Sequence, residues 1–79
     1  MLKLKNIKNN NGIITASYDP EASGELGRIS IDKNSGDVIE SVASKFDSDY
    51  PIYLNHAIDA LKKIKNEKEL PEEKLVMWY

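Results

Sequence analysis

The sequence contains no cysteine among its 79 residues. That excludes a disulfide framework, a thiolate metal site and a thiol nucleophile, and it fits a reducing, cytoplasmic setting. Histidine occurs once, as His56, and arginine once, as Arg28. A lone histidine with no serine, cysteine or second ligand tied to it by a motif supplies neither a catalytic set nor a metal set. No stretch approaches the roughly 20 apolar residues of a membrane span. The opening MLKLKNIKNNNG carries lysines but no apolar run, so it does not read as a secretory signal. The net charge of −2 provides no general field toward nucleic acid or an anionic membrane. The four glycines do not assemble into a phosphate loop, because SGELG lacks the lysine–serine ending and the strand–loop–helix setting.

What is present is a foldable pattern, with 41% hydrophobic and 30% charged residues. A chain this short buries about 60% of its unfolded surface, which allows one small core. The longest regular segment is Tyr50 to Asn66. Leu54, Ala57, Ile58, Leu61 and Ile64 recur at spacings of three and four, which predicts a helix with one apolar stripe. Pro51 suits its first turn, Ser48 or Asp49 its N-cap, and Lys62, Lys63, Lys65 and Lys68 its negative end. Pro71 stops any continuation.

The segments around the helix read as strands and turns. Leu2 to Lys8 alternates apolar and basic residues, with a break of parity near Asn6 that predicts a bulge or a strand end. Asn11-Gly12 predicts a tight hairpin into Ile13 to Tyr18, on which Ile14, Ala16 and Tyr18 share one face. Asp19 to Glu25 reads as an acidic loop. Leu26 to Asp32 and Asp37 to Ala43 form a second hairpin around Lys33 to Gly36, which predicts Ile31 opposite Ile39 on the buried face and Arg28 diagonal to Glu40 on the wet face. Phe46 is expected to cover the helix end. The apolar run Leu75 to Tyr79 predicts a last strand, central or buried on both faces, and crossing over if parallel to its neighbour. The expected domain, spanning residues 1–79, is ββββαβ: a two-layer α+β fold with a mostly antiparallel sheet of about five strands and one helix on one face.

The segment Gly27 to Ser41, with Ile31, Asp32, Gly36 and Val38 at the matching positions, resembles the closing hairpin of PepSY-type domains. The resemblance covers a small part of the chain and lacks the helix that precedes those strands in the family, so no inhibitory role is carried over.

Several clusters merit a chemical reading. His56 with Asp59, and Asp49 nearby in sequence, could orient an imidazole, but a boundary histidine accounts for it more simply. Asp47-Ser48-Asp49 offers too few oxygen ligands for calcium and reads better as helix capping. Asp19, Glu21 and Glu25 read as a solvated acidic loop. Lys3, Lys5, Lys62, Lys63 and Lys65 form a candidate basic patch for a nucleic-acid accessory role, which the single arginine and the absence of interleaved aromatics disfavour. One helix covers only one face of a five-stranded sheet, so Ile13, Val38, Val42, Val76, Trp78 and Tyr79 are the expected interaction surface. The expected function is a non-catalytic protein–protein interaction module, without cofactor or metal, acting on another protein or on a second copy of itself.

Overall fold

A computed structural model describes residues 1–47 and 51–77. The element order is β1 (Leu2–Asn10), β2 (Ile13–Pro20), β3 (Gly27–Asp32), β4 (Val38–Val42), α1 (Ile52–Ile64) and β5 (Lys74–Val76). The strands form one five-stranded antiparallel sheet in the order β4-β3-β2-β1-β5, and α1 packs on one face across β3, β2, β1 and β5. This is the α+β architecture that the alternation and the helical stripe predict.

The first hairpin follows from local chemistry. Asn10 pairs with Ile13, so the loop is Asn11-Gly12, with φ of 52° and 87° at the two positions. Two consecutive left-handed residues give the twist that an antiparallel pair needs. Further along β1, Asn6 has φ 54° and the register with β2 shifts between Lys5 and Lys8. Asn6 and Ile7 therefore stand opposite Ala16 alone, a bulge whose left-handed residue is asparagine. The bulge returns Ile7 to the buried side, where it joins Leu2 and Leu4.

The core lies between the sheet and the helix. Leu2, Leu4, Ile14, Ala16, Tyr18, Ile29 and Ile31 meet Ala57, Ala60, Leu61 and Ile64. The helix is shorter than its periodic segment, and its fully buried stripe includes Ala60, with Leu54 and Ile58 only partly covered. Its first residue follows Pro51, whose carbonyl accepts the Asn55 N–H at 3.1 Å. The expected caps Ser48 and Asp49 lie outside the described residues. Asp47 takes over that role from further back: its Oδ1 accepts the Tyr53 N–H at 3.0 Å. Phe46 meets Tyr53 edge-on, with centroids 5.4 Å apart. At the other end Lys65 Nζ donates to the Lys33 carbonyl at 3.2 Å, which ties the helix to the tip of the second hairpin.

Two expectations are corrected. Ile31 pairs with Val38, not Ile39. The Asp32 N–H donates to the Asp37 carbonyl at 2.9 Å, and that closure sets Ile31 against Val38; a register shift then leaves Ile39 unpaired and exposed. Beyond the shift Ser30 faces Glu40, so Arg28 and Glu40 are diagonal, and they form the expected ion pair at 2.9 Å. The last strand is neither central nor parallel: β5 lies at the sheet edge, antiparallel to β1, with Leu2 opposite Val76. The nine residues between α1 and β5, Lys65 to Glu73, return the chain beside its own N-terminal strand, which already has β2 on its other side.

Gly27 faces Tyr18 across the β2–β3 pair. A Cβ at position 27 would lie 2.1 Å from Tyr18 Cε1 and 2.8 Å from the Ser44 backbone nitrogen. Gly27→Ala should therefore cost about 3 kcal/mol in urea or thermal unfolding. Gly12→Ala meets nothing within 4 Å and should cost only about 1 kcal/mol through its positive φ. Equal losses would contradict the packing assigned to Tyr18.

Candidate functional site: the two edges of the sheet

Strand alternation places Lys3, Lys5, Thr15, Ser17, Arg28, Ser30 and Glu40 on the face away from the helix. That face is polar. Ile13 and Val42 belong to it, opposite Asp32 and Arg28. Val76 does not: it pairs with buried Leu2 and packs against the core. Val38 pairs with buried Ile31 and so shares the helix side, although it remains exposed. Trp78 and Tyr79 lie outside the described residues. The expected single apolar surface is thus divided, because the β4 bulge and the antiparallel placement of β5 change the parity on which it rests.

Exposed apolar side chains gather instead at the sheet edges. All five residues of β4 are exposed, with Val38 at 43%, Ile39 at 53% and Val42 at 51%. The helix packs on the other four strands, so β4 has little cover on either face. Phe46 and Leu26 add exposed apolar area near this edge, and Leu75 and Met77 stand exposed at the opposite one. An edge strand also carries a row of backbone groups without strand partners.

Between α1 and β5 lies an open groove of about 380 Å³, walled by His56, Asp59, Ala60 and Lys63 on the helix and by Lys74 to Met77 on the strand side. His56 and Asp59, weighed together in the sequence, both stand on the helix wall. The other residues weighed with His56 are elsewhere: Ser44 donates its hydroxyl to the Glu25 carbonyl and accepts the Phe46 N–H, while Ser48 and Asp49 lie outside the described residues. Among the described residues no group of three or more histidine, aspartate or glutamate side chains could hold a metal ion. No helix among them is long and apolar enough to cross a membrane.

The structure does not bring the lysine patch together. Lys3 and Lys5 lie on the open sheet face, paired with Glu73 at 2.6 Å and Asp19 at 3.3 Å. Lys62, Lys63 and Lys65 lie on the helix across the sheet, and Lys65 is tied to the Lys33 carbonyl.

Two polar centres went unrecognised as such in the sequence. Tyr18 is fully buried; its hydroxyl donates to Asp47 Oδ2 at 2.6 Å and accepts the Ser44 N–H at 2.7 Å. Burial raises its phenol well above the ordinary tyrosine range, the Asp47 hydrogen bond and charge add to that, and the Ser44 amide opposes it. The phenol stays a donor throughout the physiological range. Asp19, expected in a solvated acidic loop, is 7% exposed and belongs to β2. Burial pushes its carboxyl up, but the Gly24 N–H, Lys5 and Ser23 together hold it below the usual aspartate range. The loop after it turns through positive φ at Glu21, Ala22 and Gly24, and the Gly24 N–H reaches Asp19 Oδ1 at 2.9 Å. The signal available in the sequence was the spacing Asp19 to Gly24, which suits a side-chain-closed turn.

No protein-family model, curated protein or solved structure matches this chain. The resemblance of Gly27 to Ser41 to a PepSY hairpin stops at the hairpin, since α1 follows these strands instead of preceding them.

Tyr18→Phe leaves the Ser44 N–H and one Asp47 oxygen without their partner, and should cost about 2 kcal/mol in chemical denaturation. Asp47→Ala should cost a similar amount, about 2 kcal/mol, because it also removes the Tyr53 N–H acceptor. The double variant should fall short of the sum by about 1 kcal/mol, and strict additivity would contradict the shared bond. Asp19 favours the folded state while ionised, because its folded pKa lies below the unfolded value. Its contribution is present above about pH 4 and is lost as pH falls through the folded value. The stability gap between the parent and Asp19→Asn should therefore shrink on acidification below about pH 4, as followed by unfolding curves at successive pH values.

Proposed function

We propose that this protein is a non-catalytic interaction module that binds extended segments of partner proteins along the edges of its sheet. The observation that carries this reading is the exposure of every residue of β4, three of them aliphatic, beside a backbone edge that among the described residues lacks a further strand. Edges of natural sheets are ordinarily blunted by lysine, proline or brevity. β4 has none of the lysines or prolines, and only Glu40 and the Ile39 bulge interrupt it. An extended chain added there would satisfy the free amides and carbonyls and cover Val38 and Val42. The fixed polar face of the sheet would remain in water, which suits a partner that docks on an edge.

The test is site-directed photo-crosslinking in cells of origin. A photoreactive residue at Ser41 should capture a discrete partner, and a second substitution, Ile39→Lys, should reduce that capture about tenfold while the circular dichroism spectrum is unchanged. A photoreactive residue at Lys62, on the helix surface, serves as the control. Capture that is indifferent to Ile39→Lys, or equal from both positions, would sink the edge reading.

A further inference from the structure

The groove between α1 and β5 differs from the β4 edge in its charge. Its helix wall is formed by His56, Asp59 and Lys63 beside the buried stripe, together with Ala60 from that stripe. Ala60 contributes only a methyl group, which leaves the helix wall dented where neighbouring turns carry long side chains. The opposite wall is a strand edge: β5 pairs with β1 on one side, and among the described residues its other side has no strand. Lys74 pairs with Leu4 and so lies on the helix side of the sheet, facing the groove, as does Val76.

Among the described residues, the cations of this groove, like Lys8 on the open sheet face, are not neutralised within the fold. Lys3, Lys5 and Arg28 each reach a carboxylate within 4 Å. Among the described residues, Lys63 and Lys74 reach none, although Asp59 stands one turn from Lys63. Among the described residues the walls therefore hold two unmatched ammonium groups against a single carboxylate, with Ala60 and Val76 as apolar lining. A volume of about 380 Å³ accommodates a few side chains.

We propose that this groove takes an extended acidic segment of a partner protein, added as a sixth strand beside β5, with carboxylates on Lys63 and Lys74 and an apolar side chain over Ala60. The proposal rests on reading the protein as an edge-binding module and names the partner's chemistry at one of the edges. Backbone pairing to β5 supplies affinity independent of sequence, and the two lysines select for acidic residues. Asp59 sets a limit on that preference: an acidic residue placed against it would be repelled, so on the groove-facing face, which takes every second residue of a strand, the segment must present acidic, apolar and acidic side chains in turn.

The experiment is a titration of the full, isotope-labelled chain, read by amide chemical shifts. The probe is a blocked pentapeptide with glutamate at positions 1 and 5, valine at position 3 and serine between them; the peptide with lysine in place of glutamate and free glutarate are the comparisons. The acidic peptide should shift the amides of Ala60, Lys63, Leu75 and Met77 in a saturable way. Lys63→Glu and Lys74→Glu should each weaken it roughly tenfold, and Lys62→Glu should leave it unchanged. Lys74→Gln, a milder change on an exposed edge, should weaken it by a smaller factor in the same direction. Equal binding of the basic peptide overturns the proposal. Glutarate reproducing the same shifts at the same concentration overturns it in favour of a site for a free anion. Shifts confined to β4, or none at millimolar peptide, also overturn it; the Ser41 crosslinking result then decides separately whether the edge-binding reading stands.

Discussion

The hydrogen bond from Tyr18 to Asp47 is the constraint on which the two layers depend. Tyr18 sits in the middle of the sheet with its whole side chain covered, so its hydroxyl needs partners inside the protein. It finds them in the segment that leaves β4, where Ser44 gives an amide and Asp47 a carboxylate. Asp47 then spends its second oxygen on the Tyr53 N–H in the first turn of α1. One carboxylate thus joins the centre of β2 to the start of the helix, and it places negative charge at the positive end of the helix dipole. Gly27 belongs to the same unit, because only a residue without Cβ leaves room for the Tyr18 ring against β3. The Lys65 contact to Lys33 holds the opposite end of the helix, so the helix axis is fixed at both termini by bonds to the second hairpin and its exit.

The parts of this arrangement that the sequence discloses are those with a short chemical range. Asn11-Gly12 needs only its own backbone preferences to turn. The alternation through Ile14, Ala16 and Tyr18 needs only a pleated strand with one buried face, and the spacing of Ala57, Leu61 and Ile64 only a helix. Even the bulge at Asn6 shows itself, since Ile7 could not reach the core without it. What the sequence withholds are relations between distant segments. Nothing near Tyr18 says that its hydroxyl will meet Asp47, 29 residues on. Asp19 reads as one acid among several until Lys5, 14 residues earlier, is set beside it on the neighbouring strand.

The errors about the candidate site have the same origin. A run of apolar residues after Lys74 implies burial only if the strand is central, and position in a sheet is a property of topology. β5 reached an edge because β1 already had β2 beside it and had one side free. The mispairing of Ile31 with Ile39 came from assuming an unbroken ladder. The turn from Asp32 to Asp37 sets one register and the Arg28–Glu40 side sets another, and a single extra residue in β4 reconciles them. Each shift of one residue exchanges faces, so Val38 and Val76 passed to the helix side while Ile13 and Val42 stayed on the open one.

Geometry makes some exposure unavoidable. A helix is about 10 Å across, and neighbouring strands are about 4.8 Å apart, so one helix cannot cover five strands evenly, and here it reaches four and leaves β4 aside. The residues beyond that shelter reveal how the chain copes with it. On the open face it places lysine, arginine, serine and threonine, and the strand ladders there stay wet without difficulty. At the edges it does the reverse: β4 offers valine, isoleucine and valine, and β5 offers Leu75 with Met77 following. The distribution cannot be attributed to a shortage of polar residues, since nearly a third of the chain is charged. Placing aliphatic side chains where backbone groups are also unpaired combines both requirements for adding a strand, hydrogen-bonding groups and surface to bury. The edges differ in that β4 has almost no cover and β5 lies against a groove that carries Lys63 and Lys74, so the two ends of one small sheet differ in character, apolar at β4 and charged beside β5.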